Sequence, residues 1–142
     1  MSQDQLPIHD LWVRDLPTVA SEQSARTSVL AFGEHLLGSI GQVEVVRLQP
    51  QAQVPPRVHG DEDEAWALVQ GTCAFSWRDG RTGSPTTGQA FELASDRPQL
   101  VLAPFGVEFG IKAGASGATL LRLAPHSVDE TQQGSNSSPA GT

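Results

Sequence analysis

Every apolar run in this chain is short and is closed by a turn signal. Fourteen glycines and ten prolines do most of the closing in 142 residues. Short apolar runs between frequent turns favour an all-β architecture in one domain. Val43–Leu48, with three valines and period-2 alternation, reads as the clearest strand. Further strands are expected at Leu11–Val13, Thr27–Phe32, residues 57–59, Glu64–Gln70, Cys73–Arg78, Ala90–Leu93, Gln99–Leu102, Val107–Lys112 and Thr119–Leu123. Gly71-Thr72 is read as a turn, Asp79-Gly80 as a hairpin signal, and the Gly/Ala/Ser stretch before Thr119 as another hairpin. Gly33–Gly38 reads as a turn or a short helical turn, and Arg14–Ala25 as polar connection. About nine or ten such strands make a sandwich or a closed barrel. Residues 1–126 form the expected domain, with 1–10 as a loose arm, and the Ser/Gln/Gly-rich residues 127–142 as a flexible tail.

A net charge of −7 with scattered Lys and Arg excludes a nucleic-acid surface. No apolar run approaches the roughly 20 residues of a membrane span. The first residues carry neither a basic nor an apolar targeting segment. The single cysteine, Cys73, lies in an apolar strand and reads as a buried, inert thiol suited to a reducing, cytoplasmic setting.

The chemistry concentrates between Pro55 and Gly71. Arg57 and His59 fall two residues apart on one strand face, and Glu64 follows after the acidic run 61–63. Charged side chains inside an apolar β-scaffold suggest a pocket. His59 is the best acid–base candidate, since imidazole as a side-chain type suits proton transfer near neutrality. Arg57 could hold a carboxylate, enolate or phosphate, or pair with the acidic run instead. Glu64 and Glu44 are candidate partners or bases. Trp66, Phe75 and Trp77 alternate on neighbouring strands and serve either as core or as pocket lining, with Glu108 and Phe109 beside them. Metal binding needs three or four converging His or carboxylate ligands; His59 and Glu64 with Glu108 or Glu44 would make only a poor site, so neither a metal nor another cofactor is expected.

The segment Val54–Gly110 resembles a cupin, an all-β jelly-roll barrel also described as a double-stranded β-helix. His59 stands at the second His of the first cupin motif and Glu64 at its Glu, six residues before Gly71, while Arg57 replaces the first His. In the second motif Pro104-Phe105-Gly106 is followed by Phe109 where a His belongs. From about Arg14 to Thr131 the chain resembles the WxcM-like, FdtA-type group, the dTDP-4-oxo-6-deoxyhexose 3,4-ketoisomerases. The likeness rests on Phe32-Gly33-Glu34-His35-Leu36, Gly71-Thr72-Cys73, Asp79-Gly80, Leu123-Ala124 and Asp129-Glu130-Thr131. It implies a small-molecule substrate, metal-free acid–base chemistry and a homodimer. A His pair works in that group; here its second member maps to His59 and its first to Arg57, which accepts no proton.

Three readings follow. The chain is a metal-independent isomerase of a nucleotide-linked 4-oxo-6-deoxy sugar. Alternatively it is a cyclase or lyase acting on a polyketide-type intermediate in an apolar cavity. Or it is a non-catalytic binder of a small molecule.

Overall fold

A computed structural model describes residues 6–29, 40–60 and 62–125. The segment Gly33–Gly38 with His35, His126, the tail and the first half of the arm lie outside the described residues. Nine strands run in order: β1 (Val13–Asp15), β2 (Thr18–Ala20), β3 (Ala25–Thr27), β4 (Gln42–Leu48), β5 (Gln53–Val58), β6 (Glu64–Asp79), β7 (Ala90–Ser95), β8 (Gln99–Ala103) and β9 (Val107–Ala124). Among the described residues no helix is long and apolar enough to cross a membrane.

The long strands β6 and β9 pair antiparallel along most of their length and carry the rest. The main sheet has the order β1-β8-β6-β9-β4, with β5 added to β9 and β7 to β6; β2 and β3 make a separate hairpin. The turn expected at Gly71-Thr72 is a bulged bend inside β6, with register shifts between Leu68 and Gln70 and again between Gly71 and Cys73. Gly71 has φ +86°, and a Cβ there would stand 2.2 Å from the Gly117 carbonyl oxygen. The hairpin expected before Thr119 is likewise a bend within one continuous strand. Bulges add twist and turn a strand, so β6 and β9 each serve both halves of the barrel without ending. The polar connection expected at Arg14–Ala25 contains the end of β1 and the β2–β3 hairpin, where Thr18 and Thr27 pair. Of the strand expected at Thr27–Phe32, Thr27 ends β3, residues 28 and 29 are not strand, and residues 30–32 lie outside the described residues.

Alternation puts one large core inside the barrel, with Trp66, Leu68, Phe75, Trp77, Val101 and Phe109 among its members. A second core lies on the other face, where Leu16, supported by Trp12 and Val29, covers Ala65, Ala67, Leu100 and Leu123. The N-terminal segment is therefore structural. The described part of the arm, residues 6–10, is anchored: Ile8, like Leu11 just after it, is buried in the main core. The cause is Asp79. Its fully buried carboxylate accepts hydrogen bonds from Arg81 Nε and backbone N, Ser84 Oγ and Thr86 Oγ1. Arg81 then donates to the His9 carbonyl at 2.9 Å and the Asp10 carboxylate at 3.1 Å.

Candidate active site

Arg57 lies opposite Phe109 in the β5–β9 ladder, and Phe109 points into the core. Directly opposed residues share a face, so Arg57 occupies an inward position, as the period-2 reading expects. The Pro55-Pro56 bulge lifts this end of β5 off a regular ladder, since the register shifts between Val54 and Arg57. The Arg57 side chain is solvent-exposed and forms no ion pair among the described residues. The alternative pairing with the acidic run is thus not made by Glu62, Asp63 or Glu64. Asp63 instead accepts from the Phe105 backbone N–H at 3.0 Å.

His59 follows β5 directly. Its carbonyl accepts from Gly106 N–H at 2.7 Å, tying it to the β8–β9 turn at the mouth of the barrel. Its ring is one-fifth exposed, and Nε2 stands 2.9 Å from Glu64 Oε1. Glu64 opens β6 opposite Ala103 and is 3% exposed. Oε1 also accepts from Trp66 Nε1 at 2.9 Å. Oε2 accepts from Arg122 Nε at 2.7 Å and from Arg122 Nη2. A carboxylate offers about four acceptor positions, and here all are used. Burial pushes the Glu64 carboxyl up, but the His59 contact, the Arg122 charge and the Trp66 N–H together outweigh it and hold it down at about 2.

Glu44 belongs to the same assembly. Glu44 and Trp66 are both register partners of Arg122, on β4 and β6 respectively, so one row crosses the inner face of the sheet. Arg122 Nη1 donates to Glu44 Oε1 at 3.1 Å, and the Glu44 side chain is 43% exposed. The sequence reading did not single out Arg122. Its signal was present in the alternation Leu120-Leu121-Arg122-Leu123-Ala124, which sets an arginine on the core-facing side of a strand.

The remaining candidates are placed elsewhere. Phe75, Trp77 and Phe109 are packed on one another, with ring centroids 5.5 to 6.1 Å apart, and each is almost fully buried. Trp77 Nε1 is spent on the Leu102 carbonyl. These rings pack as core, and Trp77 also borders an open depression on the outer surface; among the described contacts Trp66 is the aromatic candidate that touches the polar cluster. Glu108 neighbours Phe109 in β9 and so faces away from His59. With Arg78 and Glu92 it borders an open depression of about 420 Å³ on the outer surface. Burial pushes the Cys73 thiol up to about 12, as an inert side chain. Among the described residues no three His, Cys, Asp or Glu side chains converge as metal ligands would.

No protein-family profile matches the chain, and no curated protein sequence matches it. Solved structures do. A dTDP sugar isomerase from Desulfovibrio desulfuricans G20 superposes with a TM-score of 0.78 at 19% identity, over 84% of this chain and 79% of that one. The fold is that of a cupin. ChmJ, a 3'-monoepimerase from Streptomyces bikiniensis solved with dTDP-quinovose, gives 0.76 at 19% identity over 89% of this chain and 69% of that one. NovW, a 4-keto-6-deoxy sugar epimerase from the novobiocin cluster of Streptomyces spheroides, gives 0.70 at 20% over 89% and 68%. The all-β cupin architecture expected from the motifs is the one observed.

Proposed function

We propose that this cupin moves a proton next to the carbonyl of a nucleotide-linked 4-keto-6-deoxy sugar, with His59 as the proton carrier. The observation that carries the reading is the His59–Glu64 contact, held at the mouth of the barrel two residues after Arg57, which forms no ion pair among the described residues. Glu64, ionised and saturated with donors, orients the imidazole and is not itself a base. One ring nitrogen faces Glu64; the other, Nδ1, keeps a lone pair. It removes the proton from the carbon beside the carbonyl, and the electron pair moves onto the carbonyl oxygen to give an enediolate. Return of a proton to C4, with loss of the C3 hydroxyl proton, makes the 3-keto isomer. Return to C3 from the opposite side makes an epimer instead. Arg57 supplies a guanidinium for the enediolate or the diphosphate. That the structural neighbours are a dTDP sugar isomerase and deoxy-sugar epimerases supports this substrate class. An apolar cyclase site finds less support, because the aromatic side chains it would use are packed together.

The outward valines of the open edge strand β4, Val43 and Val45, are 57% and 54% exposed and are the surface through which we expect two copies to pair. A cytoplasmic site of action suits the single buried thiol.

Incubation with dTDP-4-keto-6-deoxyglucose, followed by NMR, tests the reading. Wild-type protein should convert the sugar to its 3-keto isomer or C3 epimer, and His59→Asn, folded normally, should not. Equal turnover by both proteins would remove His59 from the mechanism.

A further inference from the structure

Resting on that reading of His59, we infer that Arg122 is a positioning residue: by pinning the Oε2 end of residue 64 it fixes which atom of that side chain faces His59, and through it which ring nitrogen carries the proton. The argument is one of donor and acceptor counting. Arg122 Nε and Nη2 both donate to Glu64 Oε2, so this oxygen must be an acceptor. Oε1 is then left to face two groups, Trp66 Nε1, which can only donate, and His59 Nε2. With Glu64 ionised, His59 meets an acceptor and must present Nε2–H. Nδ1 is thereby kept unprotonated in the neutral ring. Arg122 touches neither the imidazole nor the proposed reacting atoms. It acts through the carboxylate, and its third nitrogen braces the arrangement against Glu44 on the neighbouring strand.

This logic makes an inverted case available. In Glu64→Gln the two Arg122 donors still require an oxygen at the Oε2 position. Two charged Arg122 donors outweigh the single Trp66 Nε1–H, so the amide NH2 takes the position facing His59 and Trp66 gives up its bond there; His59 must then accept through Nε2 and carry its proton on Nδ1. Removing the arginine as well frees the amide to turn, so its oxygen can again face His59 and Trp66.

Long-range 1H–15N correlation spectra of His59, assigned with His59→Asn and recorded where imidazole is neutral, read the tautomer without any substrate. Expected are Nε2–H in the wild type, Nδ1–H in Glu64→Gln, and a return to Nε2–H in the Glu64→Gln/Arg122→Met double variant, which buries no charge. Glu64→Gln with the wild-type tautomer would overturn the assignment, as would a double variant that keeps Nδ1–H. The same spectra separate this from the functional reading. A sugar left untouched by the wild type would defeat the proposed reaction while the tautomer pattern still stood or fell by itself.

Discussion

Arg122 and Glu64 meet in a two-pronged ion pair that joins the last strand of the barrel to the start of its sixth, with both side chains buried. The pair brings together residues 58 positions apart and fixes the charged wall on which His59 rests. Breaking it from one side should be costly. Arg122→Met leaves the Glu64 carboxylate buried with too few donors and should lose about 3–5 kcal/mol in urea unfolding. Glu64→Gln/Arg122→Met should recover most of that loss. A double variant no more stable than Arg122→Met would mean that the charge is not the cause.

Acid should find the same pair. The Glu64 carboxyl titrates at about 2 in the fold against 4.5 ordinarily. Its contribution is fully present above pH 4.5. As pH falls from there the unfolded chain takes up a proton that the folded chain refuses, so stability drops until about pH 2. Asp79, held below the usual carboxylate range chiefly by Arg81, adds to the loss in the same direction. Urea midpoints measured from pH 7 downward should decline, and the slope should be shallower in Glu64→Gln. A slope unchanged by that substitution would contradict the assignment.

Asp79 also anchors the N-terminal arm through Arg81. Asp79→Ala would strand several part-buried donors, each costing less than the about 1–3 kcal/mol of a fully buried one. Hydrogen exchange should then accelerate at Ile8–Leu11 more than in β4. Uniform acceleration across the chain would show a general loss of stability without a latch.

Arg57 is exposed and unpaired among the described residues, so its removal should cost the fold little, within about 0.5 kcal/mol. Arg57→Gln should raise KM for the nucleotide sugar about tenfold or more, the equivalent of ~1.4 kcal/mol. A normal KM would place the anionic part of the substrate elsewhere.

Local signals announced the strands and long-range pairing did not. The alternation of Val43–Leu48 could be read directly, because a strand's period is a property of neighbours in sequence. Gly71 illustrates the opposite. A turn and a bulge both call for a left-handed glycine, and only the pairing of β6 with β9 decides between them. Asp79 carried a hairpin signal, yet its buried carboxylate organises the whole loop through residues that follow it. Glu64 and Glu44 were visible as candidates, but their common partner came from β9, and no spacing rule connects position 122 to position 64. For the aromatic residues core packing is the default reading of the sequence and lining a compatible one, since burial against one another is settled by packing.

Solvent deuterium wash-in is the most direct check on the central claim. With dTDP-4-keto-6-deoxyglucose in D2O, the wild type should place deuterium on a carbon of the sugar adjoining or replacing the carbonyl, at a rate reduced at least a hundredfold in His59→Asn, in keeping with the ~10²–10⁴-fold worth of a positioned acid–base group. No isotope in the sugar with the wild-type protein, or the same rate in both proteins, would contradict it.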